Sequence, residues 1–235
     1  MQPDQITLEL DEGSTVSGLF IKPPAPKAIF VFAHGAGVGM THSFMEDVAQ
    51  GLASRSVATL RYNFPFMEAR EGKRWGRPDT AAVAHNTVRT ALMEARKLTP
   101  DLPLFAGGKS YGARMTSQMQ SLNAFPGLRS LIFIGFPLHA AKKPSTTRAD
   151  HLLHVRESML FVQGDRDALA ELTLLRSVCA KLDHSTLHVV EGADHALQVL
   201  VRSGRKNAEV IDEVCDVVDH WIEAHSTLSA GLRCK

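Results

Sequence analysis

The sequence predicts an α/β protein. It reads as one domain over residues 1–235, with a mostly parallel twisted sheet, an antiparallel hairpin at the amino end and helices on both faces. Three observations predict it. Two segments of alternating apolar and polar residues open the chain around a turn-rich tetrapeptide. Beyond Pro23-Pro24, short apolar runs alternate with stretches of helical length and periodicity. No repeat, low-complexity tract or linker divides the rest.

Ile6–Leu10 and Val16–Ile21 flank Asp11-Glu12-Gly13-Ser14 and predict the hairpin. Ala28–Ala33, Ala58–Tyr62, Leu102–Ala106, Ser130–Ile134, Met159–Val162 and Thr186–Val190 follow as strands. Most are apolar at successive positions, as strands covered on both faces must be. Between them, Ser43-Phe44-Met45-Glu46 has the form of a capping box ahead of Val48 and Leu52. From Asp79 to Leu98 the residues Ala84, Val88, Ala91, Leu92 and Ala95 share one helical face, and Arg114–Leu122 is a further helical stretch. After Asn207, a candidate N-cap, Val210, Ile211, Val214, Val217, Val218, Trp221 and Ile222 recur at helical spacing.

The totals exclude several function classes. A 235-residue chain buries roughly 70–75% of its unfolded surface, so it needs no metal or disulfide to hold a core. A net charge of +1 gives no global basic field for nucleic acid or an acidic membrane. Cys179, Cys215 and Cys234 are odd in number and far apart, which predicts free thiols in a reducing compartment. No signal-peptide pattern opens the chain and no apolar run reaches membrane-spanning length, so the cytoplasm is the expected location.

The chemistry concentrates at the ends of the expected strands, where open α/β sheets hold their ligands. Gly108-Lys109-Ser110-Tyr111-Gly112 falls between a strand and a helix. A sharp turn there forces Ser110 to positive φ, and only glycine at 108 and 112 avoids a collision of Cβ atoms. This is the G-x-S-x-G arrangement that lifts a serine hydroxyl clear of the backbone. The hydroxyl needs a base, and His195 lies just beyond Thr186–Val190. The base needs a carboxylate, and Asp165 and Asp167 follow Met159–Val162, with Asp194 as a further candidate. An oxyanion needs donors. The backbone N–H of Tyr111 is one, and His34-Gly35-Ala36-Gly37, after the first parallel strand, offers the N–H of Ala36. The His184/His188 and His151/His154 pairs lack a third ligand nearby in sequence, and the glycines match neither nucleotide-binding pattern, so neither metal nor cofactor is expected.

"FAHGAG", "RYNFPFME", "GGKSYGARM", "GFPLH", "VQGDRDAL" and "EGADHAL" together resemble the α/β-hydrolase fold nearly end to end. More narrowly, the chain is similar to compact bacterial hydrolases near the dienelactone hydrolases, and to the related family shared with a testis-expressed protein and a regulatory subunit of a chromatin acetyltransferase complex. Dienelactone hydrolases use a cysteine where Ser110 stands here. The resemblance implies a cofactor-free Ser110–His195–Asp167 esterase. It favours Asp167 over Asp165, because the G-x-x-D spacing from Gly164 matches the acid loop of that fold. The chromatin-associated relatives imply the alternative of an interaction module with little turnover. Acyl transfer to an acceptor other than water is a third reading.

Cap domains of this fold are commonly inserted after the sixth strand, where Leu138–Ser158 is too short to hold one. An open site for small or medium soluble esters is therefore expected, lined by Met40, His42, Phe66, Met67, Tyr111 and His139. Arg70, Lys73, Arg74 and Arg77 surround Trp75 as either an anion-contacting rim or a solvated loop with Glu68 and Glu71.

Overall fold

Eight strands form one sheet in the order β1-β2-β4-β3-β5-β6-β7-β8. The structure, a computed structural model, describes residues 1–68 and 77–227, apart from the side chain of Glu12. β1 (Asp4–Glu9) and β2 (Thr15–Ile21) make the expected hairpin, and β2 runs antiparallel to β4 (Val57–Tyr62). β3 (Ala28–Ala33), β5 (Leu104–Lys109), β6 (Leu128–Ile134), β7 (Ser158–Gly164) and β8 (Ser185–Val190) continue from β4 in parallel.

Each parallel strand splits its apolar run between two cores, as the two-residue side-chain period requires. In β3, Ile29, Val31 and Ala33 enter one core, and Ala28, Phe30 and Phe32 enter the other. The first core is covered by α3 (Ala81–Leu98), α4 (Tyr111–Leu122) and α5 (Leu172–Cys179). The second is covered by α1 (Ser43–Ser54) and α6 (Asn207–Ser226). A short α2 (Pro65–Glu68) follows β4, and a 3-10 helix at Thr147–His154 occupies the β6–β7 connection, where no cap is inserted. Among the described residues no helix is long and apolar enough to cross a membrane.

Several boundaries differ from the sequence reading. β5 runs through Gly107 and Gly108 to Lys109, because ladder hydrogen bonds need only the backbone. α1 is capped by His42, whose Nδ1 accepts the Phe44 N–H at 3.2 Å, and not by Ser43. Thr80 caps α3, while the Asp79 carboxylate takes the Phe66 N–H instead. Asn207 is the first residue of α6 and accepts the Val199 N–H; its neighbour Lys206 is the cap, with Glu209 reaching back to the Lys206 N–H at 3.0 Å.

α6 is tied to the sheet by more than apolar contact. Trp221 Nε1–H donates to Ser130 Oγ at 2.6 Å, and that hydroxyl donates to the Ser158 carbonyl at 2.8 Å. Ser130 is fully buried in β6, so its hydroxyl joins helix, strand and neighbouring strand inside the core. Ser130→Ala strands the indole donor and one strand carbonyl. Urea denaturation is expected to show a loss of about 1–3 kcal/mol, the usual cost of a buried polar group left without its partner.

Candidate active site

The turn from β5 into α4 places Ser110 at φ 52° and ψ −111°, a conformation costly for any residue with a side chain. Two contacts explain why glycine flanks it. A Cβ at Gly108 would lie 2.4 Å from the Ala33 carbonyl oxygen, and one at Gly112 would lie 2.5 Å from the same atom. The Ser110 N–H donates to the Ile134 carbonyl at 3.1 Å, so the strand ladder continues into the turn and fixes it.

Three strand ends bring their side chains together. Ser110 Oγ lies 2.9 Å from His195 Nε2, and His195 Nδ1 lies 2.7 Å from Asp167 Oδ2. A buried carboxylate only accepts, so Nδ1 carries the ring proton and Nε2 is left to accept from the serine hydroxyl. Asp167 is buried, and its other contacts arrange it: Gln163 Nε2 donates to Oδ2 at 2.5 Å and the Leu169 N–H to Oδ1 at 2.7 Å. The two competing acids are engaged elsewhere. Asp165 Oδ1 accepts the Gly192 N–H, and Asp194 Oδ1 accepts the N–H groups of Ala196 and Gln198. His188 pairs with Glu213 across to α6.

The loop after β3 is held from below. His34 is fully buried; its Nδ1–H donates to the Gly35 carbonyl at 2.6 Å, and its Nε2 accepts the Phe64 N–H at 3.0 Å. Phe64 and Phe66 pack edge-on against Tyr111, which extends this support to the start of α4. Ala36 and Ser110 share the walls of two cavities, so the loop stands beside the hydroxyl. The Tyr111 N–H is the first of α4 and has no acceptor within the helix.

One cavity, of about 260 Å³, lies on the His195 side and is lined by Val38, His42, Phe44, Met45, Lys109 and Gln198 among others. The second, of about 500 Å³, lies on the α4 side, with Asp79, Tyr111, Arg114, Met115, Arg148 and Leu169 in its wall. Of the residues expected to line a pocket, His42 and Tyr111 do so. The others are corrected. Met40 is buried, and its carbonyl accepts from the buried Arg61 guanidinium. Phe66 is buried under His34 and Tyr111. Met67 packs beside Gly39, outside both walls. His139 is buried and braces the segment that carries Asp167. Its N–H donates to the Leu169 carbonyl at 2.8 Å, and its Nε2 accepts the Glu171 N–H at 2.9 Å. Arg70, Lys73, Arg74 and Trp75, like Cys234, lie outside the described residues; Arg77 is exposed and belongs to neither wall.

Lys109 and Gln163 were not singled out from sequence. Both are polar residues ending apolar strands, and that is the signal that marks them. Lys109 is buried between the strand end and the His195 loop, and its Nζ donates to the His195 carbonyl at 2.5 Å. Burial pushes the ammonium down to about 8, against the opposing pull of the Asp167 and Asp194 carboxylates. The unfolded lysine holds its proton to about 10.5, so between pH 8 and 10.5 the unfolded state binds more protons and stability rises with pH. Denaturation midpoints of wild type relative to Lys109→Met are expected to increase across that window and to stay parallel below pH 8.

The family model described as alpha/beta hydrolase domain matches residues 26–223. A dienelactone hydrolase structure from Anabaena variabilis superposes with a TM-score of 0.78 at 17% identity, covering 97% of this chain and 100% of that one. A lidless α/β serine hydrolase from Xanthomonas campestris gives 0.70 at 19% identity, covering 94% and 95%. Est1E from Butyrivibrio proteoclasticus gives 0.72 at 14% identity, covering 93% and 99%. At these identities the solved structures establish the shared fold.

Proposed function

We propose, starting from a chain that belongs to the alpha/beta hydrolase domain family, that this protein is a serine hydrolase acting on carboxylic esters. One observation carries the reading: the unbroken hydrogen-bond chain from the Ser110 hydroxyl through His195 to buried Asp167.

His195 Nε2 takes the hydroxyl proton as Ser110 Oγ bonds to the ester carbonyl carbon. The carbonyl oxygen gains charge and is met by the N–H groups of Ala36 and Tyr111, the second at the positive end of α4. Asp167 holds the ring by its Nδ1–H and stabilises the imidazolium. The tetrahedral intermediate collapses, the carbon–oxygen bond to the alcohol breaks, and His195 returns the proton to the departing oxygen. Water then adds to the acyl-enzyme with His195 again as base, releasing the acid and restoring Ser110. None of these steps calls for a cofactor. The dienelactone hydrolase and serine hydrolase neighbours agree with this reading at the level of fold.

Wild type is expected to react with a fluorophosphonate probe, and Ser110→Ala to lose the label. On alkyl esters, Ser110→Ala and His195→Ala should each lower kcat by about 10⁴–10⁶, and Asp167→Asn by about 10⁴. A folded wild-type protein that never labels and turns over no ester would favour the interaction-module reading. Product analysis with added alcohols separates hydrolysis from acyl transfer.

A further inference from the structure

The two cavities that meet at Ser110 differ in how their cations are engaged: Lys109 in the smaller one is bonded to the His195 carbonyl, whereas the larger holds two arginines. Arg114 and Arg148 both line the larger one, and neither makes an ion pair or side-chain hydrogen bond among the described residues. Arg114 Nε is buried without a partner. Arg114 comes from α4, one turn beyond Ser110, and Arg148 from the 3-10 helix of the β6–β7 connection. Both border the same cavity beside Ser110, and burial first, and then the charge of Arg148, pushes Arg114 below its ordinary value. Like charges brought together in a cleft without a counter-ion leave an anion site open.

Other charges on this wall do not fill it. Asp79 is the acid in the described lining, and its Oδ2 already accepts the Phe66 N–H. Burial also raises its carboxyl above the usual range. His151, bonded to Ser117, is pushed down to about 4 by burial and then by Arg114, so it adds no positive charge at neutral pH.

The chemistry assigns a substrate half to each side. His195 must hand its proton to the departing alcohol, and His195 lines the smaller, mainly apolar cavity. With the oxyanion facing Ala36 and Tyr111, the acyl chain is left for the larger cavity. We infer that the acyl part of the substrate carries a carboxylate held by Arg114 and Arg148, so that the enzyme cleaves half-esters of short dicarboxylic acids with a small apolar alcohol. The inference rests on the hydrolase reading above. Two arginines against one acid leave a single net positive charge, which matches the single charge of a carboxylate, and guanidinium forks fit its two oxygens. Attack by Ser110 releases the alcohol, and water then releases the dicarboxylic acid.

The test compares monoethyl adipate with ethyl heptanoate by pH-stat, using wild type, Arg148→Met, Arg114→Met and the charge-preserving Arg148→Lys. Wild type is expected to favour the half-ester in kcat/KM by tenfold or more. The half-ester to neutral-ester ratio should fall about tenfold in either methionine variant, recover in part in Arg148→Lys, and shrink as salt rises. Calorimetric titration of Ser110→Ala with monoethyl adipate reads the site without turnover, and binding should weaken when Arg148→Met is added. Equal hydrolysis of both esters, with a ratio that no arginine variant moves, overturns the inference and leaves the hydrolase standing. Binding by Ser110→Ala without turnover or probe labelling in wild type leaves the anion site and removes the hydrolase. Failure of Ser110→Ala to prefer the half-ester over the neutral ester also overturns the inference.

Discussion

The site depends on one close approach: the elbow at Ser110 against the last carbonyl of β3. Gly108 and Gly112 both press on Ala33 O, one from the end of β5 and the other from the first turn of α4. No larger side chain fits at either position without pushing β5 or the start of α4 away from β3. The approach fixes two things at once. It forces Ser110 to positive φ, a strain of order 1–3 kcal/mol that the ladders to β3 and β6 on either side of β5 withstand. It also brings the loop leaving β3 alongside the hydroxyl, so Ala36 and Ser110 border the same two cavities.

The other two loops are held to this elbow and to each other by buried polar groups. Lys109 reaches from the strand end to the His195 carbonyl, and His139 ties the β6–β7 connection to the segment after Asp167. Gln163 donates to the same carboxylate oxygen that His195 uses. Two of these contacts run from a strand or its end to a loop and the third joins two loops, so the mobility natural to loops is restrained where geometry matters most. Asp167 is nearly inaccessible, and burying a carboxylate in this way is costly unless its partners stay in place. A protein used only as a scaffold would gain stability from an apolar residue there. The buried Asp167–His195–Ser110 chain is thus a costly arrangement for a scaffold, and the proposed hydrolase gives it a use.

Much of this was legible in the sequence because the physics involved is local. Strands covered on both faces read as continuous apolar runs, which is how β3 through β7 announced themselves. The hairpin showed its two-residue alternation, and the elbow showed its glycines. Ser110, His195 and the acid loop could be found because each follows a recognisable strand. The choice of Asp167 over Asp165 needed the resemblance, since the spacing alone leaves both within reach of the histidine. The caps were misread because competition among neighbours decides them: His42 displaced Ser43, and Asn207 was drawn away by the Val199 N–H. The pocket walls were misread for a similar reason. Met40, Phe66 and His139 sit near the site in sequence terms, but whether a side chain faces the cavity or the core is decided by packing between distant segments.

The arginines show the same limit from the other side. Arg114 lies in plain view inside "GGKSYGARM", yet nothing local distinguishes it from a solvated helix residue. It becomes significant only when the β6–β7 connection folds over α4 and sets Arg148 beside it. Because that connection is too short for a cap, it packs on α4 as a single 3-10 helix instead of a lid. The short insertion thus brings Arg148 into the wall of the larger cavity beside Ser110. Under the half-ester proposal, this charge pair would orient the substrate by its far end, as enclosure would otherwise do.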